Sequence, residues 1–158
     1  MQHIGFNFSK IQAERVQELT PAPTINTNIE FTELVKDTVE LLKDAEVLRV
    51  GFRFSITYHS ANSLNQKKDT QGKEKESKDP PHASLIFEGT LLFTTTPETA
   101  KELLKHWKKR EILPQTKIPL FNIILRRCST KALELEEQLS LPPHIPLPQL
   151  RPKQEQAS

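Results

Sequence analysis

Few side chains in this chain have a type and spacing that could do chemistry. Its five histidines, His3, His59, His82, His106 and His144, are scattered. None has a cysteine, histidine or acidic neighbour at metal-ligand spacing, so neither a zinc site nor any other metal or cofactor is expected. The single cysteine, Cys128, falls among regularly spaced apolar residues, where a thiol behaves as a small hydrophobe rather than as a nucleophile. With only four glycines there is no glycine-rich phosphate loop, and no Gly-x-Ser-x-Gly elbow occurs. The expectation is a protein without catalytic residues. Charge offers more than nucleophiles do. Lys101, Lys105, Lys108 and Lys109 share one side of a helical stretch, and Arg110, Arg126 and Arg127 extend the set. Such a cluster can track phosphates, and it can equally be a solvated helix face near a C-terminal dipole. Pro143 and Pro146 have PxxP spacing but lack a flanking basic consensus, and the leucine and isoleucine positions around them suit packing on the parent domain.

Those side chains have to be positioned by a sheet and two helices. From Leu48 to Tyr58, the residues Leu48, Val50, Phe52, Phe54, Ile56 and Tyr58 fall on one parity, and Arg49, Arg53, Ser55 and Thr57 on the other. Alternation of this kind builds one buried wall and one wet wall, which is an antiparallel sheet covered on one side. Ile4, Phe6 and Phe8 alternate in the same way, and Ile11 and Ala13 continue with a change of parity, as a bulge produces. Ile25, Thr27, Ile29 and Phe31 make a second strand after the prolines at 21 and 23; over residues 34 to 42, Leu34, Val35, Val39 and Leu42 fit a short helix, while Val35, Val39 and Leu41 share the parity of the strand-like extension expected there. Leu85, Phe87, Gly89, Leu91 and Phe93 form the last strand, with Ile86 and Leu92 on its other face, so it belongs in the middle of the sheet or beneath another element.

Thr95, Thr96, Pro97 and Glu98 announce a helix, whose buried stripe is Ala100, Leu103, Leu104 and Trp107. After the break at Leu113 and Pro114, a long helix runs from Thr116 to about Leu139. Ile118, Phe121, Leu125, Cys128, Ala132, Leu135 and Leu139 recur at three-then-four spacing along it, a seam that asks for a partner surface; self-association and packing on the chain's own sheet use the same pattern. Beyond Leu141, the prolines favour an extended ribbon.

Composition fits one domain over residues 1 to 150, followed by a polar tail at 151 to 158. The apolar fraction of 35% is depressed by residues 62 to 82, whose five lysines and four acids read as a mobile hairpin insert. A net charge of +2 does not by itself argue for nucleic acid or an anionic membrane. No run approaches the ~18 apolar residues of a spanning helix, and the first ten residues lack a signal-peptide pattern. A reduced, cytoplasmic protein without membrane insertion is expected.

The order of elements resembles a known family. Strands beginning Phe6-Asn7-Phe8-Ser9-Lys10-Ile11, a long central strand, Phe87-Glu88-Gly89, a short helix, a proline break and a long helix are similar to the SecB chaperone fold. The stretch Asn122-Ile123-Ile124-Leu125-Arg126-Arg127-Cys128, followed by Leu141-Pro142-Pro143-His144-Ile145-Pro146-Leu147-Pro148, particularly resembles the SecB-like proteins of archaea and of toxin-linked systems. The match covers about residues 3 to 150 and is one of element order and apolar pattern. The insert at 62 to 82 has no counterpart in the bacterial members. The resemblance implies an α+β fold: a four-stranded antiparallel sheet with a short and a long C-terminal helix packed on it, assembling as a homodimer or homotetramer. It implies an ATP-independent holdase for unfolded or nascent polypeptides, with protein export as one setting. Phe6, Phe8, Ile25, Ile29, Phe31, Phe87 and Trp107 would lie in or beside the client groove. Two rival classes stand beside it: a nucleic-acid or ribosome-associated domain using the lysine face, and an adaptor with one dedicated partner.

Overall fold

The computed structural model describes residues 1–39, 45–60 and 80–152. The polar insert, apart from residues 80–82, lies outside them, as do residues 153–158 of the tail. Four strands, β1 (Gln2–Arg15), β2 (Thr24–Asp37), β3 (Glu46–His59) and β4 (Ala83–Thr95), precede two helices, α1 (Pro97–Trp107) and α2 (Pro114–Gln138). The sheet is antiparallel in the order β1-β4-β3-β2. Three consecutive strands form a meander and β1 returns beside the last of them, a Greek-key order. β4 is therefore central, which accounts for apolar side chains on both its faces.

One face of this sheet is the core. Leu48, Val50, Phe52, Phe54, Ile56 and Tyr58 of β3 meet Leu85, Phe87, Leu91 and Phe93 of β4, and all are buried. Gly89 has no side chain for a physical reason: a Cβ there would come within 2.8 Å of the Phe52 ring and would collide with the Asn7 carbonyl. The gap lets Phe52 lean across, and Phe6 stacks on it with centroids 5.2 Å apart. The parity change in β1 is a register shift between Phe8 and Lys10, and a second shift lies between His3 and Gly5. β2 carries its own shift between Phe31 and Glu33, which turns Leu34 into the core. Extension beyond Phe31 continues to Asp37.

The chain crosses one end of the sheet between β1 and β2. Val16 and Gln17 donate their amides to the His82 carbonyl at 2.8 and 3.2 Å, and His82 donates to the Tyr58 carbonyl at 2.9 Å. The Ser60 hydroxyl meets His82 Nδ1 at 2.7 Å and lies 3.4 Å from the Thr20 amide, so the crossing is tied to the strand ends beneath it.

Thr96 caps α1, its hydroxyl accepting from the Thr99 amide at 3.3 Å, with Pro97 in the first turn. α2 begins at Pro114, two residues before the expected Thr116, because proline is tolerated in a first turn whose amides have no helical partner. Its buried residues are Thr116, Leu120, Ile124, Cys128, Ala132 and Glu136, a row at strict intervals of four. This differs from the seam read from the sequence. Cys128 and Ala132 pack on the chain's own sheet, Phe121, Leu135 and Leu139 are half-buried at its flanks, and Ile118 and Leu125 remain exposed. A row of fours is inclined to the helix axis, and a twisted sheet accepts such an inclined ridge. The heptad pattern marks the ridge and one flank together.

Both helices end in left-handed turns without glycine. At the end of α2, Ser140 has φ 53, its amide donates to the Glu137 carbonyl at 3.2 Å, and the Leu141 amide donates to Glu136 at 2.8 Å. These are the paired bonds of a Schellman closure, with buried Leu141 as its apolar contact. The Arg15 guanidinium covers two remaining carbonyls, Leu139 at 3.0 Å and Ser140 at 3.1 Å. After α1, Arg110 plays the part of Ser140: its φ is 60, its amide donates to Trp107 at 2.8 Å, and the Glu111 amide donates to His106 at 3.2 Å.

Candidate functional site: an apolar groove beside the long helix

The long helix covers the middle of the apolar face and leaves its margins accessible. On the β2 side, Phe31 and Phe121 meet with ring centroids 4.8 Å apart. Around this pair Ile29, Glu30, Phe31, Trp107, Arg110, Ile112, Lys117 and Phe121 line a groove of about 220 Å³. The closure of α1 sends Arg110 back over the Trp107 ring, 4.9 Å from its centroid, while its Nη1 donates to the Thr32 carbonyl at 3.3 Å. Lys117, one turn before Phe121, has its Nζ 5.2 Å from that ring. The floor is thus aliphatic and aromatic, and its rim is cationic. On the β1 side, Phe6 and Phe8 meet edge to face at 5.1 Å, with Arg127 5.5 Å from the Phe6 ring and Ile11 exposed on the same strand.

The seven residues read from the sequence as client-contacting therefore fall in different places. Ile29, Phe31 and Trp107 come together in the groove. Ile25 is half-buried further along β2, and Phe6 and Phe8 lie across α2 on β1. Phe87 is fully buried in the core, against Phe54 and Phe8. Phe121, Arg110, Lys117 and Ile112 are groove residues that strand periodicity could not select. Phe121 was visible only as a member of the heptad seam, and Arg110 only as part of the basic set.

Two arginines of the basic set lie on opposite sides of the long helix. Arg110 and Lys117 are on the β2 side of α2, whereas Arg127 stacks on β1 across the helix. Among the described residues, no group of three His, Cys, Asp or Glu side chains could hold a metal ion, and no helix is long and apolar enough to cross a membrane.

A buried polar cluster underlies the far half of α2. Glu136 sits on the sheet-facing ridge, fully enclosed. Its Oε1 meets His144 Nδ1 at 2.5 Å, and its Oε2 accepts from the His144 backbone amide at 3.1 Å. His144 Nε2 in turn lies 3.2 Å from the Ser129 hydroxyl. Serine, histidine and carboxylate stand in a line, yet the surroundings lack what acyl transfer needs. Ser129 is in mid-helix, where neighbouring amides are committed to helical bonds and cannot form an oxyanion hole, and the His144 side chain is only 2% exposed. The cluster is a clasp: it holds the proline ribbon against Phe54, whose ring centroid lies 6.3 Å from that of His144. Burial, reinforced by the nearby Glu136 carboxylate, pushes the Tyr58 phenol far above its usual range. That hydroxyl nevertheless has no partner in hydrogen-bonding geometry among the described residues.

Burial also pushes the Cys128 thiol from the usual 9.0 up to about 12. The sign of the consequence is definite. Above pH 9 the unfolded chain releases a proton that the native chain retains, so native stability declines as pH rises toward about 12. Cys128→Ala is expected to flatten this decline in denaturation midpoints measured between pH 8 and pH 11, and the native thiol is expected to resist disulfide reagents at pH 8. Rapid thiol modification of the native protein would remove this assignment.

Among the described residues, four antiparallel strands with two helices make this an α+β protein with an apolar, cation-rimmed groove beside its long helix. No family model matches the chain, and no curated protein matches it. Among solved structures, a SecB-like chaperone of Mycobacterium tuberculosis in complex with a ChAD peptide from the HigA1 antitoxin is similar to it. The identity is 20%, the coverage 96% of this chain and 92% of that chain, and the TM-score 0.45.

Proposed function

We propose that this chain is a SecB-like, ATP-independent holdase that captures unfolded or nascent polypeptide segments on the margins of its apolar sheet face. The observation that carries this reading is the groove at Ile29, Phe31, Trp107 and Phe121, where aromatic and aliphatic side chains of three elements remain accessible instead of closing over one another. Accessible apolar surface of this kind is a binding surface, because its removal from water drives association without any directional chemistry. The order of elements and the closing ribbon, which resemble the SecB-like family, support the same reading.

Apolar capture tolerates salt, whereas phosphate contacts release counterions and weaken steeply as salt rises. The chain is therefore expected to suppress aggregation of a chemically unfolded client without nucleotide, with little loss at moderate salt. Light scattering of the refolding client reads this directly. Tight, salt-sensitive RNA binding with no effect on the client would replace the holdase by the nucleic-acid reading.

Self-association belongs to the same proposal. Ile118 and Leu125 are 59% and 38% exposed, one heptad apart, and are the part of the seam still available to a second copy. Leu125→Glu is expected to lower the mass measured by light scattering while leaving the fold intact. An unchanged mass in the folded variant would move the interface elsewhere.

A further inference from the structure

The structure assigns a charge preference to the groove: we infer that it selects client segments in which an aromatic or aliphatic residue is flanked by aspartate or glutamate. This rests on the holdase reading and adds the chemical class of the client.

Arg110 is the first observation. It occupies a left-handed turn with φ 60, a conformation that glycine adopts freely and that a side-chain-bearing residue adopts at a conformational penalty. What arginine adds there is a guanidinium at the groove rim, braced by the Trp107 face and the Thr32 carbonyl. Lys117 is the second observation. Like Arg110, it has no carboxylate partner among the described residues, so both cations rest on aromatic rings with their charges uncompensated. The one acid along the groove, Glu30, does not supply the missing charge. Strand alternation turns its side chain to the opposite face from Ile29 and Phe31, and its register partner there is Arg53.

The size of the groove narrows the ligand further. About 220 Å³ is below the ~300–1,000 Å³ of a typical small-molecule pocket, and it suits a side chain of an extended segment. A carboxylate one or two residues away then meets Arg110 or Lys117 at the rim. A single-stranded nucleic acid would also satisfy the cations, and competition by RNA separates that ligand from a peptide.

The test uses three unstructured fluorescent peptides with identical apolar residues, flanked by aspartate, asparagine or lysine, and measures affinity by anisotropy. The aspartate peptide is expected to bind about tenfold more tightly than the lysine peptide at low salt, the scale of two exposed ion pairs, and the ratio is expected to collapse at high salt. Arg110→Gly combined with Lys117→Gln should abolish the preference, so that the three peptides bind this variant with affinities within about twofold of one another. Glycine suits the left-handed turn, so this variant should keep the fold. Equal binding of all three peptides would overturn the charge preference and leave the holdase standing. Failure to bind any of them would remove both. Displacement of the aspartate peptide by a single-stranded RNA at lower concentration than by free peptide would overturn the inference in favour of phosphate recognition.

Discussion

Glu136→Ala is expected to lower the free energy of unfolding by about 3–5 kcal/mol, the scale on which removing one partner destabilises a buried hydrogen-bonded pair. Both carboxylate oxygens are engaged, Oε1 with the His144 ring and Oε2 with the His144 backbone amide. Truncation therefore orphans two donors in a place water does not reach, and it opens a cavity on the ridge of α2. Glu136→Gln should be milder, since the amide oxygen still accepts one of the two bonds. Tyr58→Phe is the internal control. Its hydroxyl lies near the Glu136 carboxylate but meets no described residue in hydrogen-bonding geometry, so deleting it should change stability by less than about 1 kcal/mol although it is as deeply buried. Urea denaturation of the three variants reads these differences. A separate readout follows from the clasp: in Glu136→Ala, limited proteolysis should cut within residues 141–150 before the rest of the domain. Equal losses for Glu136→Ala and Tyr58→Phe would show that enclosure, not pairing, stabilises this region.

Trp107→Ser combined with Phe31→Ser is expected to weaken capture of an unfolded client by at least about tenfold, because aromatic anchors at the centre of an interface each contribute on the order of 2 kcal/mol. Both side chains line the groove and both are only half-buried, so their loss should lower the melting temperature by much less than loss of a core aromatic such as Phe87. Lys105→Glu with Lys108→Glu supplies the comparison. Both lysines are exposed, Lys105 on α1 and Lys108 in the turn that follows it, outside the groove lining, and reversing their charge should alter client capture less than about twofold at moderate salt. Aggregation suppression, measured on variants whose thermal unfolding shows them folded, separates the two cases. If the lysine variant loses capture and the aromatic variant keeps it, the groove is not where clients bind.

Much of this architecture was legible in the amino-acid sequence. Period-two alternation fixed the faces of β3 and β4, and with them more than half of the core, because a strand's side chains have only two directions to take. The parity change after Phe8 announced a bulge for the same reason. Thr96 and Pro97 marked the start of α1 because capping is local chemistry, decided within one turn. Apolar residues on both faces of β4 indicated a central strand.

What the sequence could not decide were relations between elements. The heptad seam from Ile118 to Leu139 was real periodicity, but periodicity does not say which partner it meets or at what angle. The twist of the sheet picked the inclined row from Thr116 to Glu136 and left Ile118 and Leu125 outside. Glu136 looked like an ordinary polar helix position, and His144 stood eight residues away in a proline ribbon; only the reversal of the chain at Ser140 makes them a buried pair. The groove is likewise a tertiary object. Trp107, Arg110, Phe31 and Phe121 belong to two helices, a turn and a strand, and no local pattern couples them. Local propensity and alternation act over one to four residues and can be read along the chain, whereas burial, pairing and rim charge depend on distances that exist only once the helices have docked on the sheet.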